Sequence, residues 1–273
     1  MTAREAIRAA AERLAGISET PRLDAEILAA HLLGVERETL LLDHLDRAID
    51  AAAFDTLIAR RAAHEPIAYI IGEREFWSLP IAVRPGVLIP RPDSETLIEA
   101  ARDHFDDAAP STILDLGTGS GALLLAALSI WPEALGMGID RSETALNCAS
   151  DNAARLGLAG RAEFRKDNWS EGVPGAFDLI LCNPPYVETE AGLAADVRDF
   201  EPAEALFAGE DGLEDIRRLA PQIGPLLAED GIACVEIGHG QGPAAAALFA
   251  DQGLKTYLRQ DLAGHDRCVI IHN

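Results

Sequence analysis

The chain has 273 residues, 48% hydrophobic and 25% charged, enough to bury one large core and a smaller second one. Forty-five acidic residues against 23 basic ones leave a net charge of −22, which disfavours a general phosphate-binding surface, so no stable nucleic-acid partner is expected. The four cysteines, Cys148, Cys182, Cys234 and Cys268, have no metal spacing, the N-terminus lacks a signal-peptide core, and the longest apolar run (122–128) is far short of a membrane span; a cytoplasmic monomer with no metal site is expected.

Apolar residues recur at three- and four-residue spacing through Ile7, Leu14, Ile27, Leu28, Leu32, Leu33 and Leu57. The spacing predicts helices over 2–15, 24–33, 38–45 and 51–63, a small bundle within residues 1–70. A hinge over 71–92 follows, with a β-hairpin expected at 76–83. Next comes Leu88-Ile89-Pro90-Arg91-Pro92-Asp93, stiffened by its prolines, with Asp93 or Ser94 expected to cap the following helix.

From residue 93 to 273 the pattern is that of one α/β domain. Strands are predicted at 112–116, 135–139, 162–165, 177–182, 232–237, 254–259 and 267–272, and helices at 122–130, 142–156, 213–227 and 243–251. Such alternation builds an open, mainly parallel seven-stranded sheet of Rossmann-like type with helices on both faces. The last two strands lie too close for a helical crossover and should pair antiparallel.

Ile113-Leu114-Asp115-Leu116-Gly117-Thr118-Gly119-Ser120-Gly121 reads as a strand entering a glycine turn before a helix. Glycines let a ligand approach bare backbone. Asp140 ends the next strand, 23 residues beyond Gly117, where a carboxylate can accept hydrogen bonds from a ribose diol. A nicotinamide dinucleotide would fit so far. The spacing G-x-G-x-G and the acidic Asp115 beside the turn argue for a cationic ligand instead, and S-adenosylmethionine is such a ligand. Asp167, Asn168 and Trp169 follow the third strand, where an amide or an indole face can receive an adenine.

Phe177-Asp178-Leu179-Ile180-Leu181-Cys182-Asn183-Pro184-Pro185-Tyr186 is a strand ending in Asn-Pro-Pro-Tyr. In a sheet of this class it lies beside the glycine-turn strand, so both loops open into one crevice. An amide nitrogen is a poor nucleophile, and positive charge develops on it as it takes a methyl group. The Asn183 side-chain oxygen and the Pro184 carbonyl can accept its two N–H bonds and stabilise that charge. Pro184 and Pro185 restrict the loop, and Tyr186 can stack on a flat substrate group.

D-L-G-T-G-S-G resembles the first motif of class I S-adenosylmethionine-dependent methyltransferases, and Asn-Pro-Pro-Tyr is shared by enzymes that methylate base or glutamine nitrogens. Glu65-Pro66-Ile67-Ala68-Tyr69-Ile70-Ile71-Gly72, Leu88 to Glu95, Glu201-Pro202 with Ala205-Leu206, Asp211-Gly212-Leu213, and Glu236-Ile237-Gly238 with Gln241-Gly242 narrow this further. They resemble the protein-(glutamine-N5) methyltransferases, most of all the release-factor-specific members, over essentially the whole chain. The resemblance implies a class I fold with a helical substrate-recognition domain at 1–70. It implies S-adenosyl-L-methionine as cofactor, S-adenosyl-L-homocysteine as product, and the Gly-Gly-Gln glutamine of peptide chain release factors as substrate. Cofactor-binding residues would be Gly117, Thr118, Gly119, Ser120, Gly121, Asp140, Asn168, Trp169 and Asn183. Asn183, Pro184 and Tyr186 would be catalytic, and Asn183 to Tyr186, Pro185 included, would hold substrate. One departure is Lys166-Asp167-Asn168-Trp169, where the family more often has Ser-Asp-Trp, which leaves the adenine-contacting residue open between Asn168 and Trp169. Alternatives are a ribosomal-protein glutamine methyltransferase, a nucleic-acid adenine or guanine methyltransferase, and a non-catalytic cofactor-binding module.

Overall fold

The computed structural model describes residues 1–273, which divide into two compact units: 1–73 with 193–200, and 74–192 with 201–273. In the first unit, Thr2 and Glu5 form a reciprocal capping box that starts helix α1 (Ala3–Leu14). Pro21 occupies the first turn of α2 (Pro21–Leu33), so this helix begins three residues before the expected start; Gly34 closes it in a left-handed conformation. The segment expected as one helix over 38–45 is a single α-turn, α3 (Arg37–Thr39), running into a π-turn over Leu40–His44. Asp50 caps α4 (Ala51–Ala62) by accepting the Ala52 and Ala53 N–H groups. A short helix α5 (Ile67–Ile71) lies in the hinge motif. Leu14, Leu28, Leu40, Phe54 and Ile58 form the core of this unit. The buried Arg61 guanidinium donates to Asp24 at 2.7 Å and also meets Asp196, which brings α9 (Ala195–Phe200) into the same unit.

The second unit opens with the hairpin. Its strands are β1 (Glu73–Phe76) and β2 (Leu79–Ala82), joined by Trp77 and Ser78, both at positive φ. The expected strand start at Phe76 is therefore the end of the first strand, because the two-residue turn falls on Trp77-Ser78 rather than later. A 3₁₀ turn at Pro92–Ser94 leads into α6 (Glu95–Phe105). Of the two expected caps, Ser94 stands at the N-cap of α6 but makes no side-chain capping bond, its hydroxyl being engaged by Asn183, while Asp93 pairs with Arg267 at 3.1 Å.

The sheet comprises β3 (Thr112–Leu116), β4 (Leu135–Asp140), β5 (Ala162–Lys166), β6 (Phe177–Cys182), β7 (Leu227–Glu236), β8 (Lys255–Gln260) and β9 (Asp266–His272), in the order β5-β4-β3-β6-β7-β9-β8. The first five are parallel neighbours; β9 pairs antiparallel with both β7 and β8, as the short connection requires. Helices α7 (Ala122–Ile130), α8 (Glu143–Arg155), α10 (Glu214–Leu226) and α11 (Gly242–Ala250) complete the class I architecture. The central strands are buried on both faces: Ile113 and Leu181 belong to one core layer, and Leu114 and Ile180 to the other. The chain runs outward from β3 to β5 and then returns to β6, so winding reverses between β3 and β6 and a crevice opens at their carboxyl ends. No helix is long and apolar enough to cross a membrane.

Candidate active site

After β3 the chain makes a turn in which Gly117, Gly119 and Gly121 all adopt positive φ, a conformation that side chains rarely take. The turn is anchored to the neighbouring strand: the Gly117 and Thr118 N–H groups both donate to the Ile139 carbonyl at 2.9 Å. The Gly119 N–H donates to one Asp140 carboxylate oxygen at 2.9 Å, and the Ser142 N–H to the other at 2.8 Å. Each oxygen keeps a lone pair for a further donor. Burial raises the Asp140 carboxyl above its ordinary range, against these backbone donors.

Asp115 is fully buried beside this turn. One carboxylate oxygen accepts the Thr118 hydroxyl at 2.6 Å; the other has no hydrogen-bond partner. Burial pushes its carboxyl up to about 7; the Thr118 hydroxyl and the Leu124 backbone N–H act against it, and the nearby Asp140 charge acts with it. An unpaired buried carboxylate oxygen is the electrostatic complement of a cation.

Asn152, fully buried on α8, braces the turn from behind. Its amide donates to the Ser120 carbonyl at 2.9 Å and the Ala82 carbonyl at 3.0 Å, and accepts the Ala82 N–H at 2.8 Å.

Trp169 has φ +55° and lays its ring edge against Gly117, 3.4 Å from where a side chain there would begin. Asn168 is exposed and donates to Glu171 at 3.1 Å.

One cavity gathers most of the residues expected from the sequence. Gly117, Thr118, Gly119, Ser120, Asp140, Asn168, Trp169, Asn183 and Pro185 all line it. Gly121, Pro184 and Tyr186 are not on its wall. Gly121 starts α7 and packs against Ala149, while Pro184 is buried within its loop. Tyr186 lies at the far end of the Asn-Pro-Pro-Tyr loop, its ring against Gly238 and its hydroxyl beside Glu236.

The Asn183 amide NH₂ donates to the Ser94 hydroxyl at 3.0 Å. Its amide oxygen makes no hydrogen bond within the chain and so remains an available acceptor on a residue that lines the cavity.

Residues 5–72 match the PrmC N-terminal domain, and residues 93–205 match the methyltransferase small domain. The release factor glutamine methyltransferase of Rhodospirillum rubrum is 43% identical over 263 residues, covering 94% of this chain and 80% of that one. The enzyme of the same name from Cereibacter sphaeroides is 43% identical over 278 residues, covering 98% of each. The chain belongs to the release factor glutamine methyltransferase family. In fold, this methyltransferase is similar to a solved methyltransferase from Pyrococcus furiosus, with a TM-score of 0.52 at 17% identity over 71% of this chain and 87% of that one.

Three further groups shape the methyltransferase site and were not singled out as site residues from sequence. Glu201 is buried; it accepts the Ile89 N–H at 3.1 Å and Arg91 at 2.6 Å, tying the proline-rich segment down. Gln241 accepts the Gly238 N–H at 2.8 Å and donates to the Tyr186 and Asp211 carbonyls, at 3.0 and 3.3 Å, so one side chain holds three loops. Ser94 is the partner of Asn183. All three lie in stretches that carry the family resemblance, but the partners are far apart in the chain, and spacing alone does not pair them.

Proposed function

We propose that this chain methylates the side-chain amide nitrogen of the glutamine in the Gly-Gly-Gln motif of peptide chain release factors, in the cytoplasm, using S-adenosylmethionine. The observation that carries this reading is the Asn183 carboxamide, anchored through its NH₂ on Ser94 with its oxygen left as an acceptor on the wall that also holds the glycine turn.

Bound S-adenosylmethionine would supply an electrophilic methyl group on a sulfonium centre. The residues present fit it: Asp115 places a buried carboxylate beside the glycine turn, whose charge favours a cation, and Asp140 has two partly free oxygens for a diol. Gly117 and Gly119 present bare backbone, and Trp169 or Asn168 would face the adenine. The Asn183 oxygen and the Pro184 carbonyl accept the substrate N–H bonds, which directs the nitrogen lone pair and stabilises the charge that develops there. Pro185 walls the crevice, and Tyr186, packed against Gly238 and Glu236, anchors the far end of the loop. The helical unit would supply protein selectivity, since a single glutamine side chain is too small to specify one target.

Two outcomes follow for the cofactor residues. Asp140→Ala should weaken cofactor binding by at least about 1.5–3 kcal/mol, the loss of charge-assisted hydrogen bonds, and should also lower stability, because the Gly119 and Ser142 N–H groups lose their acceptor. Calorimetry showing unchanged affinity would remove Asp140 from the site. The second outcome is a pH dependence. Asp115 is largely neutral a unit below its value of about 7 and largely ionised a unit above it, and a cation favours the ionised form. Affinity should therefore rise as pH increases through 7. The sign is opposite for the free fold: between 3.8 and about 7 the native state holds a proton there that the unfolded chain has released, so Asp115 costs stability as pH rises through that window and the cost levels off above it. Asp115→Asn should flatten the affinity dependence, by calorimetry, and reduce the stability dependence, by urea unfolding, to the share that the equally buried Glu236 contributes.

The function itself is tested by incubating the full chain with methyl-labelled cofactor and four acceptors: an intact release factor, its Gly-Gly-Ala variant, ribosomal protein and RNA. Label on the Gly-Gly-Gln glutamine alone, located by mass mapping, is expected. Label on another acceptor, with the release factor untouched, would overturn the reading.

A further inference from the structure

Asn183 is held by a hydroxyl that itself needs a partner. Ser94 is buried at the end of the 3₁₀ turn before α6, and its oxygen receives the Asn183 N–H. A serine has one proton to give, and the Glu236 carboxylate at the end of β7 lies beside it. Glu236 is fully buried, and neither of its oxygens closes a well-aligned hydrogen bond. Such a group needs a role, since an unpaired buried carboxylate is among the costliest features a core can keep.

We propose that Ser94 and Glu236 are positioning residues for Asn183: the carboxylate accepts the Ser94 hydroxyl, which turns the serine lone pair toward the Asn183 NH₂ and commits the Asn183 oxygen to the crevice. The proposal rests on the assignment of Asn183 as the substrate acceptor. With Glu236 neutral, the relay can reverse. The acid then donates to Ser94, Ser94 donates to Asn183, and the carboxamide turns its NH₂ toward the substrate N–H bonds, donor against donor.

The groups facing Glu236 place this reversal near neutrality. Burial pushes its carboxyl up to about 7; Ser94, Tyr186 and Arg267 pull it down, and Asp93 pushes it up. Arg267 on β9 is already shared between Asp93 at 3.1 Å and Asp261 at 3.3 Å. Burial and the Glu236 charge raise the Tyr186 phenol, so it remains an O–H donor. The remaining titratable neighbours, Cys182 on β6 and Cys268 on β9, have thiols raised by burial and stay uncharged.

The test uses the full chain with saturating cofactor and an intact release factor. Wild-type kcat should fall about tenfold per unit as pH drops below about 7, as for a single required ionisation. Glu236→Gln should have low kcat and lose this acid limb. Ser94→Ala should lose about tenfold in kcat with cofactor Kd near that of the wild type, and Ser94→Thr, which keeps the hydroxyl, should recover most of it. A second readout needs no acceptor. The Asn183 side-chain amide resonance, identified by its loss in Asn183→Ala, should titrate with pH in the wild type and stay fixed in Glu236→Gln. Unchanged kcat and pH profile in Ser94→Ala and Glu236→Gln, with Asn183→Ala inactive, would overturn the relay. So would a kcat loss matched by an equal loss of cofactor affinity, which assigns both residues to cofactor enclosure. An intact amide titration in a chain that leaves release factor unmethylated would instead sink the functional reading alone.

Discussion

Asn183→Ala is expected to slow methyl transfer by about 10²–10³-fold, the usual cost of one lost transition-state contact, or about 2.7–4 kcal/mol. The nitrogen under attack carries a lone pair delocalised into its own carbonyl. It becomes a nucleophile only when that conjugation is broken, and positive charge then grows on its N–H bonds. In the proposed mechanism the Asn183 oxygen accepts one of them, and the Asn183 NH₂ is tied to the Ser94 hydroxyl at 3.0 Å. Alanine removes the acceptor and leaves the proline-stiffened backbone beside it. Cofactor binding should therefore weaken far less than turnover. Single-turnover rates with saturating acceptor, beside calorimetry of the cofactor, separate the two. Near-normal turnover in this variant would contradict the role assigned to Asn183.

The second large effect lies outside the cavity wall. Gly212 has φ +67°, and a β-carbon there would run into the Tyr186 carbonyl oxygen and stand 2.5 Å from the Gln241 amide nitrogen. The carbonyl cannot step aside cheaply, because it is backbone and already accepts from Gln241. Gly212→Ala should cost about 2–4 kcal/mol, combining a left-handed alanine with overpacking, and should lower turnover by displacing the Asn183–Tyr186 loop. Gly240 supplies the control: its φ is +83° but nothing lies within 4 Å of the added carbon. Gly240→Ala should carry the conformational cost alone. Urea unfolding and kcat on both variants decide the point; equal losses in the two would mean that the Tyr186 contact gives way freely.

Strand and helix positions in the second unit were legible wherever a continuous apolar run met glycine or proline punctuation. The strands Thr112–Leu116 and Phe177–Cys182 and the helix Ala122–Ile130 fall where the pattern puts them. The strand Leu227–Glu236 begins five residues earlier than its apolar stretch, since Glu229 and Asp230 hide its polar start. Short elements left no period to read: the turn Ile67–Ile71 and the helix Ala195–Phe200 are about one turn or two of chain. Legible in the candidate site were the residues whose local chemistry announces them, the glycine turn, Asp140 and Asn183. Ser94, Glu201, Glu236 and Gln241 act through partners far away in the chain, such as Ser94 with Asn183 across 89 residues. A hydrogen bond of that span has no periodic trace, and only the folded sheet brings its two ends together.

The brace at Asn152 carries a chemical vulnerability. It serves the Ser120 and Ala82 carbonyls as donor and the Ala82 N–H as acceptor, a set that only a carboxamide of this length provides. Hydrolysis of that one amide to an acid would delete both donors and aim a carboxylate at two carbonyl oxygens in a fully buried site. The lesion adds one oxygen and one proton in place of an NH₂, a change of a single mass unit. Its reach would extend through Ser120 into the glycine turn, so an aged preparation would lose affinity at a crevice whose own residues were chemically intact. Helical burial is what guards against this, because the backbone nitrogen that must attack the side-chain amide is fixed within α8.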